Sequence, residues 1–292
     1  MEKNLLSKNK VSKEKFIEYA EYMIFKTIKD YKLIKKKDRI AVAASGGKDS
    51  LTALYNVNKH FKNVDALLID EGIYGYREFS RQDLVNFCKE HKIRLVIKSF
   101  KEEFGNTLDS VLKKNKELNP CTFCGIIRRF MINKYSKNYD VVVLGHNLDD
   151  EVQSIMMNIL RGNLEISSRL GPVTGLERSE KFTRRVKPLY FLTEKEIKIY
   201  STLKGFQDKF VECPYAHKSY RNFVRDFINR KESENPGIKK NIIRNFLKIL
   251  PDIKKRYKNQ GSIRYCDMCG YPSKKEICNA CSMLVRYGMA KK

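Results

Sequence analysis

Apolar residues recur at three- and four-residue intervals over 12–32, where Phe16, Ala20, Met23, Ile24, Thr27, Ile28 and Tyr31 share one face. That period predicts an amphipathic helix with Ser12 as N-cap, packed on the main body or on a second subunit. The pattern then changes. Arg39 to Ala44 and Val64 to Asp70 are apolar runs of the kind found in strands buried on both faces of a parallel sheet. A helical pattern from about Asp49 to His60 separates them, and helix 76–91 with strand 93–97 follows. Residues 104–118 read as a helical insertion, 126–135 as a helix and 140–144 as a strand leading into a helix that ends near Arg161. Residues 162–185 read as a loop punctuated by Gly162, Gly171, Pro172 and Gly175, and 186–191 as a short strand. Thr193 and Glu196 form a capping box for a helix to Leu203, stopped by Gly205. Two basic amphipathic helices, 217–231 and 239–250, flank the breaker Asn235-Pro236-Gly237. Strands alternating with helices predict βαβ units, hence an α/β fold with a doubly wound, mostly parallel sheet.

Charge narrows the set of partners. Lys and Arg number 59 against 34 Asp and Glu, a net +25 spread along the whole chain. The surplus favours a polyanion, and tRNA or another nucleic acid fits better than a membrane because no apolar run reaches spanning length. A proteome in which lysine is simply common is the alternative. Residues 1–15 are polar and lack the apolar core of a signal peptide, so a cytoplasmic location is expected. The eight cysteines then sit in a reducing compartment, where paired spacings indicate metal rather than disulfides.

Chemistry concentrates in a few short stretches. Ala44-Ser45-Gly46-Gly47-Lys48-Asp49-Ser50 lies between a strand and a helix, where small residues admit a phosphate to the backbone N–H groups and the positive end of the helix. Asp49 separates Lys48 from Ser50, so a Walker A loop is excluded. Gly145 to Glu151 forms a second strand-to-helix corner. There Asp149 and Asp150 can hold magnesium across phosphates, or Asp150 can position a reacting base, although acids in a first turn are also favourable on dipole grounds alone. His146 can donate to a phosphate or a base, or be structural. Cys266, Cys269, Cys278 and Cys281 have the paired spacing of a closed zinc site. Arg264, Arg286, Lys291 and Lys292 around it suggest an RNA contact. Cys121, Cys124 and Cys213 suit a [4Fe-4S] cluster with one iron open; a persulfide relay through Cys124 or Cys213, a zinc site completed by His217, and structural thiols remain open. Cys88, beside Leu84, Val85 and Phe87, reads as a core thiol.

SGGKDS at 45–50, LIDEGI at 68–73, PCTFCGIIRR at 120–129, GHNLDDE at 145–151, ECPYA at 212–216 and the terminal knuckle together resemble the tRNA 2-thiouridine synthetases, a branch of the PP-loop ATPases, from about residue 38 to 285. The resemblance implies an ATP-dependent tRNA sulfurtransferase that adenylates a uridine, wobble before T-loop, and replaces its C2 oxygen with sulfur. It implies that the loop from Ser45 to Ser50 binds the pyrophosphate of ATP, that Ala44, Ile69 and Gly145 line the adenosine site, and that Asp150 is a catalytic acid. Arg128 stands where some relatives have Lys, and as a poor proton donor it puts a general-acid role there in doubt. ATP, Mg2+, a [4Fe-4S] cluster and Zn2+ are the implied cofactors. The implied partners are tRNA, a sulfur donor (sulfide, a cysteine desulfurase or a ubiquitin-like carrier) and a second copy of the chain. Relatives commonly begin with a further zinc knuckle, which this chain lacks, having no cysteine before Cys88. A tRNA 2-thiocytidine synthetase, a tRNA-lysidine synthetase and a non-enzymatic zinc-ribbon RNA-binding protein are the alternatives. The expected divisions are an N-terminal helical extension (1–37), an ATPase domain (38–215), a basic helical segment (216–260) and the knuckle (261–292).

Overall fold

Five strands, β1 (Ile40–Ala43), β2 (Val64–Asp70), β3 (Arg94–Ser99), β4 (Val141–Leu144) and β5 (Arg184–Val186), pair in parallel in the order β3-β2-β1-β4-β5. The computed structural model describes residues 12–175, 182–206, 212–216, 220–258 and 264–289. From β1 the chain works outward through β2 to β3, then returns to place β4 on the other side of β1. Connections therefore diverge between β1 and β4, and a crevice opens beyond the carboxyl ends of these two strands, where doubly wound sheets bind ligands.

Period-two alternation divides the strand residues between two cores. Ile40, Val42, Ala66, Leu68, Val141 and Val143 belong to one. The helices covering that face are α1 (Lys13–Asp30), α2 (Lys48–His60), α3 (Arg77–Glu90) and α9 (Glu194–Leu203). Ala41, Leu67, Ile69 and Val142 belong to the other, beneath α4 (Phe100–Phe104), α5 (Leu108–Lys114), α6 (Pro120–Tyr135) and α12 (Asn279–Arg286). Burial on both faces explains why β2 reads as an unbroken apolar run. A third, smaller core joins α7 (Leu148–Leu160) to α10 (Tyr220–Glu234) and α11 (Ile238–Tyr257). Cys88 is buried in the first core, and burial pushes its thiol up to about 11.

Neither the first nor the last of the described helices stands apart from these cores. Ala20, Ile24 and Ile28 of α1 pack with α2 and the sheet, so the N-terminal helix lies on the main body of the protein. The knuckle comprises a hairpin of β6 (Arg264–Tyr265) and β7 (Pro272–Ser273) followed by α12. Its Ala280, Leu284 and Met289 share a core with Phe123, Ile127 and Met131 of α6. Tyr287 meets Phe123 edge-on at 5.6 Å, and Tyr271 meets Phe130 at 5.8 Å.

Several boundaries differ from the periodicity. Helix α6 starts at Pro120 rather than Ile126, because Asn119 caps it by accepting from the Thr122 N–H and proline suits the first helical position. Cys121 and Cys124 are thus inside the first turns, not before them. The single helix expected over 104–118 is two. Gly105 at φ +74° ends α4, and Thr107 opens α5 with a capping box. The strand expected over 186–191 lies earlier, since Lys187, Pro188 and Leu189 turn, with Tyr190 N–H donating to the Lys187 carbonyl. Within the expected loop 162–185 a short helix forms, α8 (Leu164–Ser167). Helix α11 runs through Pro251 to Tyr257, although proline supplies no N–H to the helical ladder there.

Docking through Leu284, which is buried, predicts that the knuckle and the sheet unfold together. Leu284→Ala should cost about 2–5 kcal/mol in a single urea transition. Two separate transitions would show that the knuckle folds independently.

Candidate active site

Both predicted corners reach the crevice. After β1, Gly46 adopts φ +86°, and a Cβ there would lie 1.9 Å from the Ser80 carbonyl oxygen, so only glycine permits this path. A Cβ at Gly145, after β4, would lie 3.0 Å from the Ser50 backbone nitrogen, so the two corners pass each other closely. Gly47 is the N-cap of α2 and supplies no side chain to the first helical N–H groups, which leaves them available to an anion. Ser50 Oγ accepts from the Ser45 N–H at 3.1 Å and donates to the Gly47 carbonyl at 2.9 Å, which holds the loop curled. Lys48 bridges Asp49 at 2.9 Å and Glu194 at 3.0 Å. Ala44, Ile69 and Gly145 lie just beyond or at the carboxyl ends of β1, β2 and β4, three adjacent strands.

The two aspartates of the second corner have separated roles. Asp149, read from the sequence as able to hold magnesium with Asp150, is buried and fully engaged. One oxygen takes the Lys239 ammonium and the other accepts the Glu194 N–H at 2.8 Å. It ties α7 to α9 and α11 and is nearly closed to solvent, whereas the Asp150 side chain is about a third exposed. Asp150 accepts the Asn147 N–H at 3.2 Å and lies 3.7 Å from Arg221. Desolvation, opposed by Arg221 and reinforced by Asp49, raises its pKa to about 6. Asn147 links the corners by donating to Asp49 at 2.9 Å.

A network absent from the sequence reading joins the loop to the cysteines. Glu71, buried just past β2, takes the Arg77 guanidinium on one oxygen and Arg128 at 3.3 Å on the other. Arg77 in turn donates to the Ser45 carbonyl at 3.0 Å. The Cys124 thiol lies 3.9 Å from Glu71, and Cys121 lies 3.6 Å from the Tyr215 carbonyl, two residues beyond Cys213. Burial raises the Cys213 pKa, with the Tyr215 backbone N–H opposing it and nearby Cys121 and Glu71 adding to it. Burial, helped by Glu71, pushes Cys124 up to about 12 despite its place near a helix N-terminus. Such a thiol ionises readily only beside a further positive charge, such as a metal. Glu71 lay inside the LIDEGI stretch, at the end of a buried strand, which was the available signal; Arg77 and Arg221 gave none.

Cations line the walls around these groups. His146 and Arg128 reach solvent yet are surrounded by enough protein for desolvation to dominate their electrostatics. Desolvation and the neighbouring Lys187, Arg221, Arg128 and Arg129 hold His146 well below its usual pKa, so it stays neutral. Arg185, desolvated and crowded by Arg129, is lowered to about 10. This crowding of positive charge is relieved by a bound polyanion.

Metal fit differs between the two cysteine sets. The sulfurs of Cys266, Cys269, Cys278 and Cys281 all lie within 4.8 Å of one another, with Cys269 and Cys278 at 3.8 Å. Zinc–sulfur bonds of about 2.3 Å in a tetrahedron separate sulfurs by roughly that distance. Burial raises Cys269 to about 11, so four thiolates form only around a cation. Cys121 and Cys124 sit in the first turns of α6, and the segment of Cys213 is brought against them where Cys121 meets the Tyr215 carbonyl, a three-thiol set of the kind that holds a polynuclear cluster. His217, the suggested fourth ligand of a zinc reading, lies outside the described residues, as do Lys291 and Lys292.

A glycine loop and an acidic corner on neighbouring parallel strands define a nucleotide-binding α/β protein. The family model described as a PP-loop domain matches residues 17–232, and the chain belongs to this family, in its tRNA 2-thiolation branch. It is similar to the tRNA-5-methyluridine(54) 2-sulfurtransferase of Pyrococcus horikoshii, with 37% identity over 92% of this chain and 85% of that protein. It is similar also to the cytoplasmic tRNA 2-thiolation protein 1 of Oryza sativa, with 34% identity over 94% of this chain and 76% of that one. Among solved structures, the U34-tRNA thiolase NcsA from Methanococcus maripaludis, with its [4Fe-4S] cluster, superposes with a TM-score of 0.80. Identity there is 32%, covering 96% of this chain and 91% of that chain.

Two outcomes follow from this geometry. In metal- and nucleotide-free protein the Asp150 carboxyl should titrate near pH 6, ionised above and protonated below, in a carbon-13 NMR titration. Magnesium and ATP should move the midpoint down. An ordinary value of about 4 in the free protein would mean that the cleft is not desolvating. Glu71→Gln should destabilise the fold by about 3–5 kcal/mol, because Arg77 is left buried without its counter-charge. Adding Arg77→Met should restore much of that in urea denaturation. Calorimetric ATP affinity should stay reduced in the double variant, since the Ser45 carbonyl has lost its donor.

Proposed function

We propose that this protein is an ATP-dependent tRNA sulfurtransferase that converts a uridine, at the wobble position, to 2-thiouridine. The observation that carries this reading is the chain of contacts from the glycine loop through Arg77 and Glu71 to Cys124, which couples a nucleotide site to a cysteine site within one cleft. The loop of Ser45 to Ser50 takes the pyrophosphate, with α2 N–H groups as donors, while Asp150 holds magnesium. The uridine O2 attacks the α-phosphorus, pyrophosphate leaves, and a sulfur nucleophile then displaces AMP at C2. Arg128 stabilises negative charge and transfers no proton, as its guanidinium stays protonated at neutral pH.

Cys121, Cys124 and Cys213 would hold the [4Fe-4S] cluster, which when bound supplies an iron open to an external sulfur. The convergence of three thiols, where a relay needs two, supports this over a bare persulfide relay. Arg77, Arg128 and Glu71 set the charge around the ligands, and the knuckle cysteines hold zinc and brace α6. The target base must leave its stack to reach the cleft, which loops allow at small cost. Position 34 is favoured by the likeness to the U34 thiolase; the position-54 relative supplies the competing outcome. Sulfide, a desulfurase or a ubiquitin-like carrier would deliver sulfur, and the working unit would be a cytoplasmic homodimer. No helix among the described residues is long and apolar enough to cross a membrane.

Anaerobic purification with iron, sulfide and zinc analysis tests the reading. Replacing Cys121, Cys124 or Cys213 with Ser should remove iron and thiolation but leave one zinc. Nucleoside mass spectrometry of digested tRNA should locate sulfur at uridine 34. Two zinc ions without iron, or full activity without iron, would overturn the cluster assignment. Sulfur at position 54 would overturn the wobble assignment alone.

A further inference from the structure

Helix α10 buries one stripe and exposes another that its packing does not use. Val224 and Ile228 face α7 and α11. Tyr220, Phe223 and Phe227, at intervals of three and four, point outward, with Phe223 66% exposed. Large rings at such spacing ordinarily build a core, and here they meet solvent. The Tyr220 and Phe223 rings lie within 26° of parallel, with centroids 6.3 Å apart, and the Arg161 guanidinium sits 4.6 Å over Tyr220. The stripe begins at the cleft: the next residue, Arg221, donates to the Asp150 carbonyl at 3.3 Å and to Gln153 at 3.1 Å. It continues outward to exposed Arg230. Of the acids nearby, Asp226 and Glu212 are both within reach of Arg225, at 3.4 and 3.7 Å.

We propose that Tyr220, Phe223 and Phe227 form a stacking platform for the unpaired bases that flank the base delivered to the cleft. This rests on the RNA-substrate reading and adds to it the surface that holds the neighbouring nucleotides. Tyr220 to Phe227 spans about 10 Å along the helix, room for roughly three stacked bases at about 3.4 Å each. Rings framed by arginine are the combination that binds single-stranded nucleic acid, with the rings supplying sequence-tolerant stacking and the cations tracking phosphate. Exposed Arg161 and Arg230 flank the rings, and a polyanion neutralises them where the same basic face of a second copy would not, which favours RNA over a second copy on this face. Exposed Ile159, Leu160, Leu164 and Ile166 on the neighbouring α7 and α8 make a second copy the competing occupant.

The test compares wild type with Phe223→Ala/Phe227→Ala, whose rings are exposed, after circular dichroism and ATP titration show the fold and nucleotide site unchanged. Affinity for unmodified tRNA, measured by filter binding, should fall roughly 10- to 100-fold. The dependence of binding on salt should keep its slope, because no phosphate contact is removed. Phe223→Trp/Phe227→Trp should bind at least as well as wild type. Wild type that binds tRNA, with an alanine variant that binds equally well, overturns the platform and leaves the RNA reading standing. Wild type that does not bind tRNA overturns that reading itself. If the alanine variant sediments as a monomer where wild type is a dimer, with RNA affinity per chain unchanged, the face is a contact between copies and the platform is wrong.

Discussion

One buried carboxylate holds the two halves of the cleft in register. Glu71 is removed from water and surrounded by the charges of Arg77 and Arg128. A carboxylate in that position is tolerable only because both oxygens are paired; removing a partner leaves an isolated charge in a poorly polarisable interior. The pairing restricts where α3 and α6 can sit, since Arg77 opens one and Arg128 belongs to the other. Arg77 also reaches the Ser45 carbonyl, so the glycine loop and the helix that carries Cys121 and Cys124 share a rigid link. A shift at either end changes the environment of the other.

The terminal knuckle braces the same helix from behind. Its own residues are too few to bury a core, and its apolar side chains instead complete the layer over α6, with Tyr287 against Phe123, the residue preceding Cys124. Four thiols near one another cannot all ionise without a cation, so metal binding and docking support each other. This structural site and the three-cysteine site are thereby mechanically connected although they share no ligand.

Charge distribution explains how adjacent aspartates differ. Asp149 is neutralised by Lys239 and a backbone donor, and it fastens three helices. Asp150, one residue on, turns toward a cleft whose other charged groups are mostly cations, and its side chain is about a third exposed. Arg128 and Lys187 are each paired with a buried glutamate, yet together with Arg129 and Arg185 they leave an excess of positive charge that a phosphate would offset.

Much of this was legible along the chain. The alternation of strands and helices, the glycine turn, the acidic corner and the paired knuckle cysteines are local patterns. Their information lies in residues a few positions apart, because backbone conformation and close metal ligation are short-range constraints. Helix boundaries at Pro120 and Gly105 were less legible, since capping side chains compete with apolar periodicity there. Only the tertiary structure decided which charges meet: that Glu71 joins Arg77 and Arg128, that Lys239 claims Asp149 across 90 residues, and that Arg221 faces Asp150. Long side chains of like charge are interchangeable in a sequence with so many of them. Partner choice is set by distance and desolvation in the folded protein, and neither quantity exists until the sheet has brought distant segments to one crevice.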